Sequence, residues 1–239
     1  VREVLQAVFL GAVQGLTEFL PVSSSGHLRL IQEALGWTDE FGLAFDTMLH
    51  VATLLAVVVY FRREFGAMIV AAFSSDPAKA HDKRLAWLIV VATVPTGLIG
   101  LAGSDWFETA AMVWVGVAFL ITAASLTAAE ALSSKRYHDA EELTWWSAIL
   151  VGIAQGVAIM PGISRSGATI AAGLGTGLDR EQAARFSFLL AAPIILLAGA
   201  KQALDVALGT ATLPSTAAVV AGFVAAGATG YLAVWGLLA

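Results

Sequence analysis

Gly11-Ala-Val-Gln14-Gly15-Leu-Thr-Glu18-Phe-Leu-Pro21-Val-Ser23-Ser24-Ser25-Gly26-His27 and Gly152-Ile-Ala-Gln155-Gly156-Val-Ala-Ile-Met-Pro161-Gly162-Ile-Ser164-Arg165-Ser166-Gly167 align without a gap. Both read G-x-x-Q-G, seven further residues, then S-x-S-G, so the chain carries one polar motif twice. Each copy interrupts an apolar stretch with Pro, Gly and Ser. Apolar segments broken in corresponding positions of two halves point to a site near the bilayer midplane. The site is expected where the two breaks meet.

The rest of the chain agrees with a membrane setting. Hydrophobic residues make up 58% and charged residues 13%, and the mean hydropathy is +0.80; soluble domains are about 25% charged. A span needs roughly 20 apolar residues, and five segments qualify: about 43–61, 85–103, 109–131, 182–204 and 214–238. These runs do not alternate as barrel strands do, so the spans are helices. Two shorter apolar segments, about 4–20 and 145–160, run into the breaks. Gln14 and Glu18 in the first argue for a buried role rather than a cleaved leader. The chain starts at Val1 and stops within an apolar run at Ala239, so trimming at one or both ends, and a sixth span, are expected. There is no cysteine, which removes disulfides and thiolate metal sites. The net charge of −5 lies in acidic loops with no basic patch, so nucleic acid is excluded as a partner.

Lys and Arg near span ends mark the cytoplasmic side. Arg62, Arg63, Lys79, Lys83 and Arg84 place that connection inside, whereas the next, around Asp105 and Glu108, has no base and belongs outside. Alternation puts Lys135 and Arg136 inside, then Arg180 and Arg185 inside again. The second broken segment thus has both flanks inside and the first has both outside. The expected fold is an all-α integral membrane protein with an inverted-topology repeat, two re-entrant helical hairpins and five or six transmembrane helices. The halves are 1–131 and 143–239, with hairpins at about 4–35 and 145–176. Phe45 falls opposite Phe186 at the spacing of the motifs, and Gly97-x-x-Gly100 matches Gly227-x-x-Gly230 at a slightly shorter one.

Gln14 and Glu18 share a helix face, and a carboxylate in an apolar segment is costly unless paired, coordinated or wet. Ser23, Ser24, Ser25 and Gly26 precede a short helix, where hydroxyls cap and free N–H groups suit a phosphate. His27, one turn on, has the chemistry of a base, acid or nucleophile. Arg165, between two apolar runs, needs an anion: Glu18 in a salt bridge, or a phosphate with Ser164, Ser166 and Thr169 adding donors. Asp46 and His50, also four apart at the beginning of the first full span, line the site entrance, assist the site or form a solvated rim.

Together, Gln14-Gly-Leu-Thr-Glu18-Phe-Leu-Pro-Val-Ser-Ser24-Ser-Gly-His27 and Pro161-Gly-Ile-Ser164-Arg165-Ser166-Gly-Ala-Thr169 resemble the paired signature of the undecaprenyl-diphosphate phosphatases of the bacitracin-resistance type. The resemblance covers nearly the whole chain. It implies hydrolysis of a polyprenyl diphosphate to its monophosphate, which returns the lipid carrier to cell-envelope synthesis, and a divalent cation, magnesium or calcium. Many members carry Glu where this chain has Gln14, a departure from a two-carboxylate metal site: Glu18 is the implied metal ligand, or acts with substrate oxygens instead. The implied catalytic set is Glu18, Ser24, His27 and Arg165, with Ser24, His27 or water as nucleophile. Gln14, Ser23, Ser25, Gly26, Ser164, Ser166, Gly167 and Thr169 would bind the diphosphate. The expected location is the plasma membrane, with the site opening outside among membrane lipids, and Gly11-x-x-x-Gly15 would permit a homo-oligomer.

Two other classes compete. Lipid phosphatases of the type 2 phosphatidic acid phosphatase group need a histidine after their Ser-Arg, and none follows His138. A polyprenyl-phosphate flippase or transporter would use the same inverted-repeat site without a nucleophile.

Overall fold

Ten α-helices and two single 3₁₀ turns make up the computed structural model, which describes residues 1–108, 112–133 and 139–238. They are α1 (Arg2–Phe19), α2 (Ser24–Leu35), α3 (Leu43–Tyr60), α4 (Arg62–Ala72), α5 (Ala80–Glu108), α6 (Met112–Leu132), α7 (Trp145–Val157), α8 (Arg165–Thr176), α9 (Arg180–Ala207) and α10 (Thr216–Leu238). No strand occurs among the described residues. Among the described residues, five helical segments are long and apolar enough to cross a bilayer: Leu43–Tyr60, Pro77–Gly103, Met112–Leu132, Arg180–Ala207 and Thr216–Leu238. Leu98, Leu101, Val113 and Leu120 are all more than half exposed, as lipid-facing side chains are. The chain is a multi-pass integral membrane protein. Residues 109–111, where the third expected span begins, and Lys135 and Arg136 lie outside the described residues.

The connection after α3 opens with a helix of its own. Arg62–Ala72 is a helix that buries Met68 and Ala71, because a short amphipathic stripe interrupts the basic residues.

The breaks follow from local chemistry. Leu20 precedes Pro21, which disfavours the α region, and takes extended dihedrals that end α1. Ser23 then caps α2 by accepting the Gly26 N–H at 3.3 Å, and Ser164 caps α8 by accepting the Gly167 N–H at 3.0 Å. Each short helix ends at a left-handed glycine, Gly36 (φ 65°) or Gly177 (φ 114°), whose N–H returns to the last turn. The spacing that carries Ser24 onto Arg165 also carries Gly36 onto Gly177, so α2 and α8 coincide end to end.

Packing repeats as well. Without a hydrophobic drive between helices in lipid, association depends on close approach through small residues. A Cβ on Gly11 would lie 2.2 Å from the Gly222 carbonyl oxygen, and one on Gly152 would lie 2.0 Å from that of Ala92. Gly15 likewise meets Thr229, and Gly156 meets Ile99. The spacing that takes Gly97 onto Gly227 takes Ala92 onto Gly222 and Ile99 onto Thr229. Thus α1 seats on α10 as α7 seats on α5. The Gly11-x-x-x-Gly15 face is therefore occupied within the chain. Phe45 and Phe186 are both fully buried, one in a cluster with Leu10 and Leu28, the other in a cluster with Val151 and Leu174.

Candidate active site

The two breaks touch. Ser23 Oγ donates to the Ile163 carbonyl at 3.4 Å, and Ser166 Oγ donates to the Leu20 carbonyl at 3.1 Å. Gly26 packs on Gly162 so closely that a Cβ there would stand 3.0 Å from the Gly162 Cα, and within 2.7 Å of the Phe119 ring. Thr122 of α6 steadies the second break by accepting the Ser164 N–H at 3.0 Å.

Glu18, only 5% exposed, is the hub. Its Oε1 pairs with the Arg165 guanidinium. Its Oε2 accepts from Ser24 Oγ at 2.5 Å and from Gln14 Nε2 at 2.8 Å, and stands 3.4 Å from His50 Nε2. Of the two anions considered for Arg165, Glu18 is the one beside it. Arg165 Nη1 makes only a long contact, 3.5 Å, to the Ala191 carbonyl of α9, so its five donors exceed what Glu18 takes.

Other expected site residues are placed less directly. His27 Nδ1 donates to the Ser23 carbonyl at 2.8 Å, and its ring packs edgewise on Phe119 at 5.2 Å. Ser25 is half-buried beside it. Ser164 Oγ is engaged by the cap and by Ser166 Oγ at 3.1 Å. The Thr169 hydroxyl is bonded to the Arg165 carbonyl at 2.8 Å and to Ser187 Oγ at 2.6 Å. Gly167 lies against the Thr122 methyl and Ser164.

The halves are not chemically equal. Ile159 stands where the repeat would place a second Glu18, so Gln155 bonds Thr96 Oγ1 at 3.1 Å instead of a carboxylate. One half supplies the acid and the other the base. Among the described residues, the buried Oε1 atoms of Gln14 and Gln155 have no hydrogen-bond partner. No group of three or more His, Cys, Asp or Glu able to hold a metal occurs among them either. Gln14 Oε1, buried without a partner, and the Glu18 carboxylate are nonetheless hard oxygen donors one helical turn apart. That fits magnesium, which keeps its waters and binds through one or two protein oxygens plus substrate phosphate.

His50, which the sequence left open between an entrance, an assisting role and a solvated rim, stands beside Glu18. Its signal was the Asp46/His50 spacing on one helix face; what was hidden is that this face meets α1. Ser187 carried a signal too, since the spacing of Phe45 to Phe186 takes Asp46 onto it. Thr122, one of three hydroxyl residues in its apolar span with Ser125 and Thr127, carried none.

The family model of bacitracin resistance protein BacA matches residues 7–239. The chain is 47% identical to the undecaprenyl-diphosphatase of Rubrobacter xylanophilus, covering 97% of this chain and 88% of that protein. It is 44% identical to that of Methanosphaera stadtmanae, over 97% and 87% respectively. It is 46% identical to that of Aliivibrio salmonicida, over 87% and 79%.

Proposed function

The chain belongs to the BacA bacitracin resistance protein family, and from that premise we propose how its own residues act. The protein is an undecaprenyl-diphosphatase, an integral membrane hydrolase that cleaves the lipid diphosphate to its monophosphate and inorganic phosphate. Recycling the carrier in this way serves cell-wall synthesis and confers bacitracin resistance. The flippase reading gains nothing from the relatives, which are named as diphosphatases.

The observation that carries the mechanism is the junction of Ser24, Glu18 and Arg165 across the two breaks. Phosphoryl transfer needs placed charge and a positioned nucleophile more than covalent chemistry from the protein. Ser24 Oγ, held on the Glu18 carboxylate at 2.5 Å, is the nucleophile. Glu18 takes its proton as the oxygen bonds to the terminal phosphorus and the bond to the bridging oxygen breaks, releasing the polyprenyl monophosphate. Water then attacks the phosphoserine, freeing phosphate and returning the proton to Ser24. The guanidinium donors of Arg165 and the N–H groups opening α2 and α8 hold the phosphoryl oxygens. His27 keeps Nε2 unprotonated, because Nδ1 is the donor to the Ser23 carbonyl, and is placed to serve the leaving or entering oxygen. A magnesium or calcium ion held by Glu18 and Gln14 Oε1 would neutralise phosphoryl charge.

The breaks form two re-entrant hairpins in an inverted repeat. In support, Trp37, just past α2, lies 6.3 Å from Phe9 of α1 by ring centroids, so the chain returns beside its entry. Leu143 before α7 and Leu178 after α8 share one buried cluster. Arg185 pairs with Glu64 at 2.9 Å and Arg180 pairs with Glu130, gathering the basic flanks on one side, which reads as cytoplasmic. Glu3 accepts from the Ser215 N–H at 3.0 Å on the other. The site then opens to the outside of the plasma membrane.

The test is phosphate release from undecaprenyl diphosphate by purified protein in detergent, with and without magnesium or calcium. Metal-dependent release that Arg165→Ala abolishes is expected. Folded protein that binds the lipid without releasing phosphate would overturn the reading.

A further inference from the structure

We propose that α6 positions the two helix starts of the site together, through Phe119 seated on Gly26 and Thr122 seated on Gly167. This rests on the phosphatase reading and gives a part in it to a helix outside both motifs.

The argument begins with the motif glycines. Gly26 and Gly167 hold the same place in the two copies, three residues after the capping serine. Neither takes a positive φ, so backbone conformation does not ask for glycine there. Room does. A Cβ on Gly26 would stand 2.7 Å from Phe119 Cζ, and one on Gly167 would stand 2.9 Å from both the Thr122 methyl and Ser164 Cβ. Equivalent positions in the two halves are thus met by side chains three residues apart on one helix face.

A second contact accompanies each. His27 is tied through Nδ1 to the Ser23 carbonyl at 2.8 Å, and an imidazole held at one atom can still rock about that bond. The Phe119 ring meets it edgewise at 5.2 Å between centroids, which limits the rocking and fixes where Nε2 points. Thr122 Oγ1 accepts the Ser164 N–H at 3.0 Å, while the Ser164 hydroxyl caps Gly167. The residue that opens α8 is therefore held from both sides, and Arg165 follows it directly.

The rest of this face bears on the same junction. Val115 and Ala118 are each 1% exposed and press on Gly162, where a Cβ would come 2.5 Å from the Val115 carbonyl oxygen and 2.8 Å from the Ala118 Cβ. On the opposite face Val113, Leu120 and Ile121 are more than half exposed. Lipid tails are as apolar as these side chains, so burial alone does not drive α6 onto the breaks. Close approach at three glycines and the bond to Ser164 hold it there. Reacting groups misplaced by about 1 Å can lose about 100-fold in rate, and α6 guards against that in both halves. Phe119 and Thr122 are positioning residues: they act through His27 and through the start of α8.

The test is kcat and KM for phosphate release from undecaprenyl diphosphate by the purified full chain in detergent, taken per folded molecule. Thr122→Val keeps the shape and loses the acceptor, and should lower kcat about tenfold or more with KM within about threefold. Thr122→Ser keeps the acceptor and should stay within about twofold of wild type. Phe119→Leu should lower kcat about tenfold in the wild-type background but less than about twofold when His27 is already Gln, because the two act as a unit. Leu120→Ala, on the lipid face, should change neither constant. Three results would each overturn the proposal: Phe119→Leu costing the same factor with and without His27, Thr122→Ser as slow as Thr122→Val, or KM rising while kcat holds. Should Thr122→Val fail to fold, the Phe119 and His27 comparison decides. Wild type that releases no phosphate would instead sink the phosphatase reading.

Discussion

Glu18 of α1 and Arg165 of α8, 147 positions apart, form the ion pair that closes the two breaks on each other. Removing one member of a buried pair strands the other and typically costs about 3 to 5 kcal/mol. Arg165→Met should therefore lower the thermal midpoint sharply in detergent. Glu18→Gln with Arg165→Met should be destabilised by less than the two single changes added together. Strict additivity would mean that the pair does not hold the breaks.

The glycine seams give a second expectation. Gly152→Ala puts a methyl 2.0 Å from the Ala92 carbonyl oxygen and 2.8 Å from the Pro95 ring. Backbone cannot yield as a side chain can, so α7 must leave α5 and the second break must shift with it. A stability loss of about 2 kcal/mol or more is expected, measured by thermal unfolding, with activity falling too. Gly116→Ala, with nothing within 4 Å of the added methyl, should be neutral or stabilising by about 0.5 to 1 kcal/mol.

Much of this was legible because the bilayer makes polarity rare. In a chain with 13% charged residues, Glu18 and Arg165 stand out without any structure, and the duplicated Ser and Gly pattern marks both helix starts. The spans were equally plain, since a run of about 20 apolar residues has few alternatives. Partners supplied by other helices were harder to foresee. His50 depends on how α3 rotates against α1, and the Ala191 carbonyl belongs to a residue with no functional side chain. The Thr169 hydroxyl bonds Ser187 and its own helix, partners that no motif records.

Orientation is checked by labelling. The chain lacks cysteine, so Ala80→Cys and Asp105→Cys each introduce a single thiol. Position 105 should react with an impermeant reagent in intact cells, and position 80 only after permeabilisation. The reverse pattern would invert the protein and place the site toward the cytoplasm.

Gln14 offers a direct test of the proposed cation. Its Oε1 is buried without a partner while its Nε2 is fixed on Glu18. Gln14→Glu adds a second carboxylate four residues before Glu18, and affinity rises with ligand charge. Magnesium binding by calorimetry, and the magnesium concentration giving half-maximal rate, should both move to concentrations about tenfold lower. Chelation should abolish turnover in both proteins. An unchanged binding midpoint would mean that the Gln14 side chain does not face the ion.

Ser23 is the one residue other than glycine with positive φ among the described residues, at 66°. Its counterpart Ser164 is relaxed at −73°, and in that half Gly162 takes the positive angle, 95°, two positions earlier. The same motif thus sets its bend on glycine in one half and on serine in the other. Ser23 holds that angle while its hydroxyl caps Gly26 and reaches Ile163, and its carbonyl holds His27. Ser23→Gly removes strain of about 1 kcal/mol and costs a few tenths as a cap, so stability should hold or rise. Ser23→Ala keeps the strain and loses the cap, and should be less stable than Ser23→Gly by about 1 kcal/mol or more. Both variants lose the Ser23 bond to Ile163, one of the ties between the two breaks, so both should turn over more slowly, whatever their thermal midpoints. Equal stability of the two variants would show that the bend at Ser23 stores no strain. A full rate in Ser23→Gly would show that its bridge to Ile163 is not needed to place Ser24.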